Sequence, residues 1–112
     1  MRIAFTATGE EWTSAIDPRF GRTEYFIIYD DESNEKRVVD NSINKMEAHG
    51  AGPKASKTLF EEKANVLITG NGPGGNALSV LEKAKIDIYV GAGNMTVEEA
   101  YSAYKNEQLK KY

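Results

Sequence analysis

Val66-Leu67-Ile68-Thr69 runs directly into Gly70-Asn71-Gly72-Pro73-Gly74-Gly75. A short unbroken run of branched apolar residues, with no polar alternation, is what a strand covered on both faces requires, and such strands belong to parallel sheets. Past the glycine loop, Ala77, Leu78, Leu81 and Ala84 recur at helical spacing. A buried strand, a tight loop and an amphipathic helix in sequence place the chain in the α/β class.

Downstream, Ile86 to Val90 reads as a further strand closed by Gly91-Ala92-Gly93. Thr96 with Glu99 forms a capping box for a last helix, whose apolar stripe is Val97, Ala100, Tyr101 and Tyr104. Upstream, Pro53 suits a first helical position, and Ala55, Leu59 and Phe60 share one side of a helix reaching about Lys63. Ser42 to Gly52 reads as irregular. Before it, Ile3–Thr8, Glu24–Asp30 and Lys36–Asn41 read as three strands, the last two joined through turn-forming Asp31-Glu32-Ser33-Asn34. Between the first two lies a polar loop, Gly9–Thr23, with Trp12 and Ile16 as inward anchors. The order is βββαβαβα. A meander followed by right-handed crossovers predicts a five-stranded mixed sheet of order 3-2-1-4-5, an RNase H-like three-layer domain.

The bulk numbers agree with one domain spanning 1–112, with 40% hydrophobic and 28% charged residues. The net charge of −3 offers no general attraction to nucleic acid or to an anionic membrane, so any anion site must be local. With no cysteine, disulfides, thiolate metal sites and thiol catalysis are excluded within these residues. Met1-Arg2-Ile3-Ala4-Phe5 reads as a strand rather than a signal peptide, and its apolar run is too short to cross a bilayer, so a cytoplasmic protein is expected.

That topology sends the C-terminal ends of strands one, three, four and five to one edge, where open α/β sheets bind ligands. The loops Thr8–Thr23, Ser42–Gly52, Gly70–Gly75 and Gly91–Asn94 gather there, with helix N-termini near Pro53 and Pro73 adding positive dipole ends. The first loop holds Asp17-Pro18-Arg19-Phe20-Gly21-Arg22. Arginine grips anions in fixed orientation through its planar fork of donors. The plainer reading, that Asp17 pairs with one arginine and anchors the loop, stands beside it. Arg22, next to the second strand, is expected to be the carboxylate-bound arginine and Arg19 the anion contact, with the Phe20 ring buried beneath them.

Other chemistries fail on their residues. Gly70-Asn71-Gly72-Pro73-Gly74-Gly75 satisfies G-x-G-x-x-G, but Pro73 removes a donor, no acid ends the next strand and no second mononucleotide half exists. The first strand carries no carboxylate for a two-metal nuclease. His49, the only histidine, cannot build a His-based cage; it reads either as a solvated loop residue or as one ligand to a preassembled cluster. A tight crossing at Gly70-Asn71-Gly72 predicts φ > 0 at Gly70 or Gly72.

Taken together, the Asp17–Arg22 stretch with Tyr25-Phe26, His49-Gly50-Ala51-Gly52, and Thr69 through Ala77 resemble the dinitrogenase iron-molybdenum cofactor biosynthesis family along essentially the whole chain. The resemblance implies an RNase H-like fold and the binding, carriage or insertion of an anionic iron-sulfur-based cofactor or precursor. It carries Arg19, Arg22 and His49 over as site residues, His49 as the metal ligand, and Gly50, Gly70, Asn71 and Gly72 belong to the matching motifs. The absence of cysteine departs from what some cofactor-handling relatives could use. The expected function is therefore a non-catalytic binder or carrier of an anionic metal cluster or similar small anion, working with a cofactor-biosynthesis or target protein. The alternative is a protein-interaction or regulatory domain without cofactor, motivated by the glycine-rich edge and by Trp12, Phe20 and Tyr25 as partly exposed aromatics.

Overall fold

The computed structural model describes residues 1–46 and 50–112. Strands β1 (Arg2–Ala7), β2 (Tyr25–Asp30) and β3 (Glu35–Asp40) are followed by a one-turn helix α1 (Ser42–Lys45) and by α2 (Ala51–Glu61). Then come β4 (Val66–Ile68), α3 (Gly75–Lys83), β5 (Asp87–Val90), α4 (Val97–Lys105) and the two-residue β6 (Lys110–Lys111). They form one mixed sheet of order β3-β2-β1-β4-β5-β6. β1 pairs antiparallel with β2 and parallel with β4, and β4 pairs parallel with β5.

Five strands stand in the expected order, and the sixth is a correction. Two lysines carry no strand periodicity. They pair because the chain leaving α4 returns along the open edge of β5, setting Val90 against Lys110 and Tyr89 against Lys111. Helix α1, in a segment read as irregular, is a second addition. Two helix starts also shift. α2 begins at Ala51, which makes Pro53 its third residue, still within the turn whose N–H groups lack helical acceptors. α3 begins at Gly75 after an extended Gly74, two residues beyond Pro73.

Strand alternation sorts the core into two clusters. Ala4, Phe26, Ile28, Leu67 and Ile88 face Ala55 and Leu59 of α2 and Ala77 and Leu81 of α3. Ile3, Phe5, Ile27, Val66 and Ile68 face the opposite way, against Val97 and Ala100 of α4 and Ile16 of the long loop. The sheet is thus covered on both sides, as the apolar run Val66-Leu67-Ile68 requires.

Trp12 anchors that loop as expected, packing edge-on to Phe5 at 5.8 Å and against Tyr29 at 5.2 Å between ring centres. Thr96 caps α4 through the reciprocal Thr96–Glu99 bonds. Among the described residues, no helix is long and apolar enough to cross a membrane.

Candidate functional site: a cleft between two helix N-termini

At the sheet edge where β1, β3, β4 and β5 end, the Arg19–Arg22 loop, the start of α2 and the start of α3 enclose a cleft of about 580 Å³. That is the size of a small-molecule site. Its lining includes Arg19 and Arg22 from the first loop, Gly50 to Pro53 from α2, and Gly72 to Ala77 leading into α3.

The loop is built on Asp17. Its backbone N–H donates to Thr6 O at 3.0 Å, and the Thr6 hydroxyl donates to Asp17 O at 2.7 Å, so the loop continues the pairing of β1. The Asp17 carboxylate is 1% exposed. It accepts the backbone N–H groups of Arg19 at 3.0 Å and Glu24 at 3.2 Å, and two bonds from the Arg19 guanidinium. Burial alone pushes this carboxyl up. The Arg19 side chain and the two backbone donors more than offset that and hold it below its ordinary value.

The division of labour between the arginines is therefore the reverse of the one expected. Arg19 is the carboxylate-bound arginine. Arg22 meets no carboxylate within ion-pair reach among the described residues; its Nη1 donates to Lys45 O at 2.6 Å. The Glu24 carboxylate pairs instead with Lys45. The physical cause is the burial of Asp17: its oxygens point back along the loop, where the Arg19 backbone and side chain close a compact ring on them. Half of the Arg19 side chain remains exposed on the cleft side. Phe20, expected as the pin, is 5% exposed and packs against Phe26 at 5.7 Å, which corrects its other expected place among partly exposed aromatics at this edge.

Gly21 lets the loop touch α2. A Cβ there would lie 2.7 Å from the Gly52 backbone nitrogen, closer than real side chains come. The two basic residues are thereby pressed against a helix start. Neither α2 nor α3 has a side-chain cap or an acidic residue in its first turn, whereas α4 has both. The first-turn N–H groups of Ala51, Gly52, Gly75, Asn76 and Ala77 have no acceptor within their helices, and all five residues line the cleft. Two positive dipole ends and two guanidinium groups thus meet where, among the described residues, no lining residue is acidic.

Of the residues singled out in the sequence, Arg19, Arg22, Gly50 and Gly72 come together here. Gly70 and Asn71 stand outside the lining. The Asn71 N–H donates to Pro18 O at 2.9 Å, and Gly70 O accepts from the Gly91 N–H at 3.1 Å, so they stitch the loops behind the cleft. His49 lies outside the described residues. The expected positive φ at Gly70 or Gly72 is not found; the glycines with φ > 0 are Gly50 (78°) and Gly91 (92°). Gly70 is needed for room instead, since a Cβ would approach Pro18 Cα to 2.7 Å. Gly74, Gly75 and Asn76 also line the cleft, and their place at an uncapped helix start is the sequence signal for it.

The chain is a small α/β protein with an uncapped, arginine-flanked cleft at its strand ends. The family described as dinitrogenase iron-molybdenum cofactor matches residues 1–107, and the chain belongs to that family. The apo form of the orange protein from Desulfovibrio gigas superposes with a TM-score of 0.94 at 33% identity, covering 99% of this chain and 92% of that one. A Thermotoga protein provisionally described as NifB gives 0.84 at 38% identity, over 98% and 91% of the two chains. No curated protein matches by sequence. Family and neighbours together suggest a small cofactor-related carrier or binding protein.

Proposed function

We propose that the cleft binds and carries an anionic metal cluster, the iron-molybdenum cofactor, its precursor or a related iron-sulfur cluster, without transforming it. The observation that carries this reading is the convergence of Arg19, Arg22 and two uncapped helix N-termini on a cleft with no acidic lining residue among the described residues. With no cysteine in the 112 residues, the protein holds such a cargo by charge and hydrogen bonds rather than by thiolates. Weak, replaceable contacts of that kind suit a carrier that must release its cargo to a biosynthetic or target protein. His49, next in the chain to cleft residue Gly50, is the one imidazole able to add a metal bond.

Anaerobic titration with iron-sulfur or iron-molybdenum clusters, followed by absorbance, tests the reading. The wild type should bind saturably with one-to-one stoichiometry. Arg22→Ala should weaken binding about ten-fold, the size of one charge-assisted contact. Binding by an Arg19→Ala/Arg22→Ala/His49→Ala variant as tight as that of the wild type would overturn it.

A further inference from the structure

Strand β6 delivers Tyr112, which lies beyond the residues matched by the family, to the back of the glycine loop. The Tyr112 N–H donates to Ile88 O at 2.8 Å, carrying the β5–β6 pairing one step further. Its ring covers Gly72 so closely that any Cβ on that glycine would fall inside it. Its hydroxyl donates to Pro73 O at 3.2 Å. Gly72 and Pro73 line the cleft, and Tyr112 does not. It holds them from behind.

The loop between β4 and α3 has little means of holding its own shape, since three of its residues from Gly70 to Gly74 are glycine. Its first half is tied by the Asn71–Pro18 and Gly91–Gly70 backbone bonds. Its second half sets the position of the Gly75, Asn76 and Ala77 amides, and there the aromatic ring and hydroxyl of Tyr112 supply the support.

We propose that Tyr112 is a positioning residue for the anion site, clamping Gly72-Pro73 so that the first-turn amides of α3 are fixed before the ligand arrives. The proposal rests on the functional reading above. Donors ordered in advance lose less freedom on binding, so removing the clamp should cost affinity although the tyrosine never touches the ligand.

Two measurements on Tyr112→Ala and Tyr112→Phe test this. In the ligand-free protein, Tyr112→Ala should speed amide hydrogen exchange about ten-fold at Asn71 and Leu78, whose N–H groups donate to Pro18 O at 2.9 Å and to Gly74 O at 2.8 Å, with Ile68 and Leu81 unchanged because the core stays closed. Its affinity for a synthetic, negatively charged iron-sulfur cluster should fall about five-fold, while Tyr112→Phe, which keeps the ring, recovers most of both effects. Unchanged exchange at Asn71 and Leu78 overturns the clamp, as does unchanged affinity in Tyr112→Ala when the wild type binds. A wild type that fails to bind the cluster overturns the carrier function alone, and the exchange measurement then decides the clamp.

Discussion

The Arg19 guanidinium meets the Asp17 carboxylate edge to edge, Nε to Oδ1 at 3.1 Å and Nη2 to Oδ2 at 3.0 Å, with the carboxylate buried and the arginine half exposed. One face of the pair belongs to the core of the loop and the other to the cleft. Asp17 therefore orients a cleft-facing cation as well as holding the chain.

Asp17→Asn keeps the shape but removes the charge and part of the acceptor capacity. It should lower stability by about 1.5–3 kcal/mol in urea unfolding at neutral pH. Because the folded-state carboxyl lies below its ordinary value, its stabilising contribution is complete above about pH 4 and is lost as the pH falls through the lower folded value. The gap between wild type and Asp17→Asn should accordingly close as the pH drops below 4. A gap that stays constant into acid would show that Asp17 does not titrate with folding.

Gly21→Ala forces a methyl group to within 2.7 Å of the Gly52 nitrogen and 2.8 Å of its Cα, both backbone atoms with little room to yield. A loss of about 2–3 kcal/mol is expected, as for an overpacked site. A change below about 0.5 kcal/mol would mean that the loop and α2 are not in fixed contact.

Gly50→Ala should cost about 1 kcal/mol for a different reason. Nothing lies near a Cβ there, but φ is 78°, a left-handed conformation. Gly50→Asn should recover part of the loss, because asparagine tolerates that region. Equal losses for alanine and asparagine, measured by thermal unfolding, would point to contact rather than backbone conformation as the cause.

Thr96→Ala serves as the counterpart outside the cleft lining. Breaking the capping box should cost about 1 kcal/mol while leaving cluster affinity at the wild-type value. Lost affinity with lost stability would show that binding follows global stability rather than the Arg19–Arg22 loop.

Binding itself should be sensitive to salt, since the cleft is open and its attraction is ionic. Raising salt from about 0.05 M to about 0.5 M should weaken wild-type affinity several-fold and the Arg22→Ala affinity less. Salt-independent binding, followed by the same absorbance titration, would indicate a covalent metal bond as the main contact.

Local pattern was enough for the main elements. The apolar stretches of β1 and β2, the unbroken run Val66-Leu67-Ile68, the Thr96–Glu99 box and the helical spacing from Ala77 each depend on neighbours in the chain, and strand order followed from connection rules. It was enough, too, for the edge at which the cleft forms, because parallel strands share their C-terminal ends. What needed the tertiary structure were choices among partners distant in sequence or equally near. Asp17 is close to both arginines, and only its burial against β1 decided that Arg19 takes the carboxylate and Arg22 the Lys45 carbonyl. Gly70 is spared a side chain by Pro18, and Gly72 by Tyr112, both far along the chain, so space rather than φ dictates glycine at each. Strand β6 exists because β5 offers it an edge, since a pair of lysines has no strand pattern of its own. Periodicity records which face a residue turns toward the core; what it meets there depends on how the loops close in space.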